Sequence, residues 1–270
     1  MRTIVDFPSL LFASSFAVLG VSAYVGAFRQ KKLRPFDADD RQDFGIVQGT
    51  ALSLLGLLIG FTFSMAMSRY EQRRIYEEAE ANAIGTEYAR AGLLPAADTK
   101  IVRDQLISYL DRRVLFYTTR DAKRLLQIDT DTAQLQNELW SAVQARAVAQ
   151  PTILTSLVVG GMNDVLNSEG YTQAAWWNRI PIEAWVLLAV IAIGCNLLIG
   201  HGTHRTSPLL IVLPLAVSLS FFLIADIDSP RGGMIRMRPE NLLRLSQSLH
   251  AHPLGNSPVD PGAISTVTFP

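Results

Sequence analysis

Cysteine is nearly absent, with one residue, Cys195, in 270, so no intrachain disulfide can form and the redox compartment leaves no mark on the sequence. Charged side chains are also scarce, at 18%, and they balance at 24 Lys plus Arg against 24 Asp plus Glu. A formal net charge of zero supplies no single-sign field to draw the chain onto nucleic acid, and no nucleic-acid partner is expected. Catalytic and metal-site signatures are missing as well: there is no phosphate loop, dinucleotide fingerprint, His-Glu-x-x-His helix or Cys-x-x-Cys pair. The chain therefore reads as neither an enzyme nor a carrier of metal or cofactor. The four histidines, His201, His204, His250 and His252, have no neighbouring carboxylate or thiolate in the sequence to complete a ligand set.

The scarcity of charge is uneven. Residues 7–28, 44–68, 184–204 and 206–225 contain no charged side chain at all. Each run meets the roughly 20 apolar residues that an α-helix needs to cross a hydrocarbon core. Four membrane helices are expected, which excludes a wholly soluble protein. The charge-free run 147–163 holds Gln150, Pro151 and Asn163 and is too short in its apolar part, so it reads as a buried or interfacial helix. Val21-Ser22-Ala23 would suit a signal-peptide cleavage site, but Asp6 and the length of the apolar run favour retention of the first span.

Between the spans, residues 29–43 form a short polar loop and 69–180 carry 13 basic and 14 acidic side chains, enough chain for a helical domain. Val102, Leu106, Tyr109, Leu110, Val114 and Tyr117 recur at helical spacing and predict a helix over 98–119. A second helix follows Asp121, with a seam of Leu125, Ile128, Thr132, Leu135, Leu139 and Ala142 at alternating steps of three and four. Pro151 suits the first turn of a third, with Leu154, Leu157, Val158, Gly161 and Val165 on one face. The second span lacks Gly or Pro from Arg69 up to Gly85 and should continue beyond the membrane surface as one long helix. The expected architecture is all-α: membrane helices in 1–68 and 181–228, an inserted cytoplasmic helical domain at 69–180, a cytoplasmic segment at 229–252 and a disordered tail at 253–270. A tight hairpin over 200–205 joins the last two spans. Lys and Arg near the span ends number eight on the amino-terminal side of the membrane and six on the other, which places both termini and the polar domain in the cytoplasm and the protein in the inner membrane.

The second span is the most informative element. Gly45, Gly49, Ser53, Gly56, Gly60 and Ser64 follow one another at steps of three and four, laying small side chains along one winding face. Such a face lets helix backbones approach closely in lipid. Helix packing is one reading of the stripe and pore lining is the other. Ile59, Phe63 and Met67 border it at steps of four. Arg69, Arg73 and Arg74 follow, and they suit either a positive pore mouth or an interfacial anchor. Spans two and four end on the same membrane face, so Arg69 or Arg73 is expected within reach of Asp226 or Asp228. Two carboxylates fall short of the six to eight oxygens that calcium prefers.

The run SLLGLLIGFTFSMAMSRYEQRR from Ser53 to Arg74 resembles the second membrane helix of bestrophins. GFTFSMAMSRYEQRR, EANAIGTEYARAGLLP, RIPIEAW and DIDSPRGGMIRMRPENLLRL together resemble the bestrophin-like family of bacterial four-span membrane proteins, which is distantly similar to bestrophin anion channels. The resemblance implies a homo-oligomer, a pentamer by analogy, in the lipid bilayer, with a chloride-permeable pore lined by span two; on that reading the bulky uncharged Ile59, Phe63 and Met67 are its expected narrowest rings. The chain departs from bestrophins in two places. The adjacent tryptophans after the pore helix are missing, Tyr70 standing nearest, and the acidic calcium clasp after span four is reduced to Asp226 and Asp228, so calcium gating is not carried over. Two functions are open on this reading: a passive anion channel, and a non-conducting membrane scaffold whose 125–142 seam docks a partner.

Overall fold

A computed structural model of the chain describes residues 4–30, 38–202 and 208–251. The 253–270 tail, residues 31–37 of the expected 29–43 loop and residues 203–205 of the expected 200–205 hairpin lie outside the described residues, as do His204 and His252, and the rest of that loop and hairpin is helical. The described residues form helices and turns, with no strand. A short turn at Ile4–Asp6 precedes α1 (Pro8–Gln30), which opens on the proline that suits a first helical position.

Helix α2 (Ala38–Arg90) runs unbroken for 53 residues, about 80 Å at 1.5 Å per residue. It contains no proline and carries on through Gly85. A turn at Ala91–Leu93 and Pro95 end it, and α3 (Ala96–Thr118) follows. Asp121 caps α4 (Ala122–Ala149) by accepting the Arg124 N–H at 2.8 Å. Helix α5 (Ile153–Trp177) begins two residues after Pro151, because Thr152 and Thr155 form a reciprocal cap: the Thr155 N–H donates to Thr152 Oγ1 at 3.1 Å and the Thr152 N–H to Thr155 Oγ1 at 2.9 Å. Helices α6 (Ile182–Gly202), α7 (Leu209–Asp228) and α8 (Glu240–Ala251) complete the chain. Four stretches are long and apolar enough to cross a membrane, within Pro8–Phe28, Gln42–Leu93, Ile153–Gly202 and Leu210–Asp228.

The helices divide into two compact units, which cut across α2 and α5. The first comprises the residues up to Arg73 together with Ala174–Met237. Its core gathers Leu19, Leu55, Ala66, Trp185, Leu188, Ala192, Phe221 and Ile224, with Trp185 and Phe221 meeting edge to face at 6.0 Å. Its tightest helix contact joins α1 to α6. A Cβ at Gly200 would stand 2.0 Å from the Ala23 carbonyl oxygen, and one at Gly26 would stand 2.3 Å from that of Leu197. Small residues thus bring two backbones together here, at positions outside the stripe that the sequence makes conspicuous.

The second unit comprises Arg74–Gln173 and the residues from Arg238 onward, so the segment after span four divides at Met237. Val102, Leu106, Tyr109, Leu110 and Tyr117 of α3 are buried, as expected, with Arg113 and Phe116 among them. Helix α4 packs on α3 and buries Ile128, Thr132, Leu139 and Val143. Its seam is therefore occupied within the chain and is not a free docking strip. On α5 the buried apolar face is Val158, Met162 and Val165, whereas Leu154 and Leu157 are exposed. Leu154 and Leu157 share one helical face with Val158 and Val165 by spacing, but leucine spacing alone does not say how far a domain's core reaches.

Gly200→Ala should cost about 1–3 kcal/mol by forcing α1 from α6, while Gly20→Ala, with no atom within 4 Å of the new methyl, should leave stability unchanged. Thermal unfolding of the purified variants in detergent checks this.

Candidate functional site

Helix α2 presents different faces to its own chain and to its surroundings. Within the first unit it buries Leu55, Thr62, Ala66 and Arg73. The stripe of Gly45, Gly49, Ser53, Gly56, Gly60 and Ser64 is exposed throughout, and a Cβ built on any of its four glycines meets nothing within 4 Å among the described residues. Phe63 and Met67 are 37% and 40% exposed, whereas Ile59 is partly buried against the core. Only 6% of the most apolar 18-residue stretch in Gln42–Leu93 is buried, against 22%, 33% and 50% for the other three candidate spans.

At the end of this face a buried carboxylate organises three arginines. Asp228 lies 4.0 Å from Arg69, 3.9 Å from Arg73 and 3.7 Å from Arg179, and its Oδ2 accepts the Ile180 N–H at 3.2 Å. Arg179 also pairs with Asp6. Arg73 is buried and gives its N–H groups to the carbonyls of Ala175 at 3.3 Å, Ile227 at 3.3 Å and Asp228 at 3.0 Å. A cation is thereby held at the carbonyl end of α7, where the helix dipole favours it. Burial pushes the Arg73 and Arg179 guanidinium groups below their ordinary value, and Asp228 opposes the shift in both.

Asp226 does different work. Both its oxygens accept backbone N–H groups, from Met234 and from Ile235, each at 2.7 Å. Gly233 permits this, since a Cβ there would stand 2.6 Å from the Asp226 carbonyl oxygen. The two aspartates are buried rather than solvated, and each is spent on a structural partner. No group of three or more His, Cys, Asp or Glu residues suited to a metal occurs among the described residues. Of the arginines, Arg69 and Arg73 stand in ion pairs, while Arg74 is exposed.

In the second unit the buried face of α2 continues as Glu77, Glu80, Ile84 and Glu87. Glu77 accepts the Asn241 and Leu242 N–H groups at 3.0 and 2.9 Å, capping α8. Glu80 pairs with Arg113 and accepts from the Tyr117 hydroxyl at 2.9 Å and Thr172 Oγ1 at 3.0 Å, tying α2 to α3 and α5. Burial works against the Arg113 charge, yet Glu80 and Glu169 together hold its pKa above the ordinary value. His250 meets the Ser246 carbonyl oxygen through Nδ1 at 2.8 Å and lies 3.5 Å from Asp111 through Nε2.

A family model, the bestrophin-like domain, matches residues 16–242. The chain belongs to the bestrophin-like family. Crystal structures of a bacterial bestrophin homologue from Klebsiella pneumoniae share the fold. One point mutant matches with a TM-score of 0.62 at 13% identity, covering 89% of this chain and 98% of that one. The structure phased on zinc gives 0.58 at 13%, covering 87% and 98%. A second mutant gives 0.54 at 15%, also covering 87% and 98%. No curated protein matches significantly in sequence.

The bestrophin-like chain thus brings Arg69, Arg73 and Asp228 together and leaves the small stripe with its flanking Phe63 and Met67 open. Sequence reasoning missed the pairing of Arg179 and the burial of Glu80 and Glu87. The spacing of Arg73, Glu77, Glu80, Ile84 and Glu87, at steps of four, three, four and three, was the available signal. It marks one helix face as readily as an apolar stripe does.

Asp228→Ala should destabilise the first unit by about 3–5 kcal/mol, because it strips a shared counter-charge from three arginines. Asp226→Asn keeps a side-chain acceptor and should cost less. Thermal unfolding in detergent ranks the two, and equal losses would contradict the division of labour between them.

Proposed function

We propose that this bestrophin-like chain assembles as a homo-oligomer around an axis faced by α2 and provides a passive anion pathway, with chloride as its ion and a pentamer as its form by family resemblance. The observation that carries the reading is the 6% burial of the most apolar stretch of α2. A helix so poorly covered by its own chain must be covered by lipid or by further subunits. Its glycines and serines gain little from lipid tails and much from a close-packed neighbour. Phe63 and Met67, half-exposed beside the stripe, supply bulky uncharged rings, and Ile59 adds the part of its side chain not packed on the core. Such rings gate by excluding water. Arg74 is the exposed cation that remains for the mouth.

On this reading the protein sits in the inner membrane with both termini and the polar helices in the cytoplasm. A non-conducting scaffold is the second reading. The occupied α4 seam leaves that reading without its docking strip, and exposed Val148 and Ile153, in the charge-free run 147–163, are its alternative surface.

Purified protein in liposomes should pass anions, and Phe63→Ala should raise the flux several-fold because a wider ring wets more easily. Flux at the detection floor in both proteins would favour the scaffold. A reporter fused at Asp121 and active only outside the cytoplasm would overturn the orientation.

A further inference from the structure

Three carboxylates lie on the buried face of α2 within the second unit, and two of them are neutralised: Glu77 by the amino end of α8, Glu80 by Arg113, Tyr117 and Thr172. Glu87 is as fully buried as Glu80, yet neither of its oxygens has a hydrogen-bond partner. It lies against α5 at Gly161, where a Cβ would stand 2.0 Å from Glu87 Oε2 and 2.5 Å from Arg90 Nη1. The carboxylate oxygen and the guanidinium nitrogen are thus no further apart than those two distances together, but no hydrogen bond closes between them. The charged groups facing Glu87 are Arg90, from α2 itself, and Asp164, from α5. A bare carboxylate without a donor at this depth is costly, and releasing the cost requires either a proton or a small movement of Arg90.

We propose that Glu87 is a proton-binding site that sets two states of the contact between α2 and α5. In one state a neutral carboxylic acid packs against Gly161. In the other, once the proton has left to water, the carboxylate draws Arg90 into an ion pair beside the same glycine. Only glycine at 161 admits both groups. Burial raises the Glu87 acid from an ordinary 4.5 to about 8, with Arg90 opposing the shift and Asp164 adding to it. The neutral form therefore prevails at pH 7. The folded chain holds this proton more tightly than the unfolded chain. The stabilisation is accordingly complete below about pH 4.5, declines as pH rises to about 8, and is gone above it. The site stands whether or not α2 lines a pore.

The test is infrared titration of the full-length protein in detergent, following the C=O band of protonated carboxyl groups from acid to alkaline pH. Wild type should lose one band with a midpoint near 8, and Glu87→Gln should lack that step. Arg90→Met should move the midpoint up and Asp164→Asn should move it down, so the assignment is tested even if Glu87→Gln fails to fold. Thermal unfolding of Glu87→Gln should also be flatter against pH than that of wild type between about 4.5 and 8. A wild-type step that persists in Glu87→Gln, or neighbours whose substitution moves it in the opposite directions, would overturn the proposal.

Discussion

A charge removed from water has to meet a fixed partner, and in this chain that requirement falls on one face of one helix. Helix α2 sends Arg73, Glu77, Glu80 and Glu87 inward on the same side, and most of the order at the ends of its neighbours follows from how those groups are met. Arg73 takes the last carbonyls of α7 and one from α5. Glu77 starts α8. Glu80 fixes Arg113, Tyr117 and Thr172 on two further helices. An ion pair of this kind contributes little net stability over well-packed apolar residues, but removing one partner is severe. What such partners add is register, since a carboxylate satisfied at one helical turn is unsatisfied at the next.

The same helix has a second face, and there the physics is different. Membrane helices gain nothing from hiding apolar surface from lipid, so close backbone contact is a main source of association. The chain uses that device internally where α1 crosses α6 at Gly26 and Gly200. Among the described residues it does not use it along α2, where six small residues stay open. The inward face of α2 is committed to its own chain, and the outward one stays open among the described residues.

The sequence made some of this legible and hid the rest for physical reasons. Runs without charge mark the membrane helices because an ion in hydrocarbon is expensive wherever it stands, and α1, α2, α6 and α7 contain all four runs to within a few residues. Asp121 foretells α4 because capping is local. The pairing of Arg73 with Asp228 followed from topology alone, since both stand at span ends on one membrane side. The partners of Glu80 were hidden, because Arg113 is 33 residues away and Thr172 is 92, and an unpaired acid in a sequence looks solvated. Which face of α2 turns inward was hidden too. A glycine stripe announces a close neighbour without saying whether it comes from the same chain.

That last ambiguity can be removed by disulfide cross-linking in native membranes, with Cys195 replaced by Ala and single cysteines placed at Ser53 and Ser64 on the α2 stripe and at Val190 and Val212 on the exposed sides of α6 and α7. If α2 faces the axis of the assembly, the cysteines at 53 and 64 will link subunits and those at 190 and 212 will stay monomeric. Cross-links from 190 or 212 alone, with none from α2, would contradict the account.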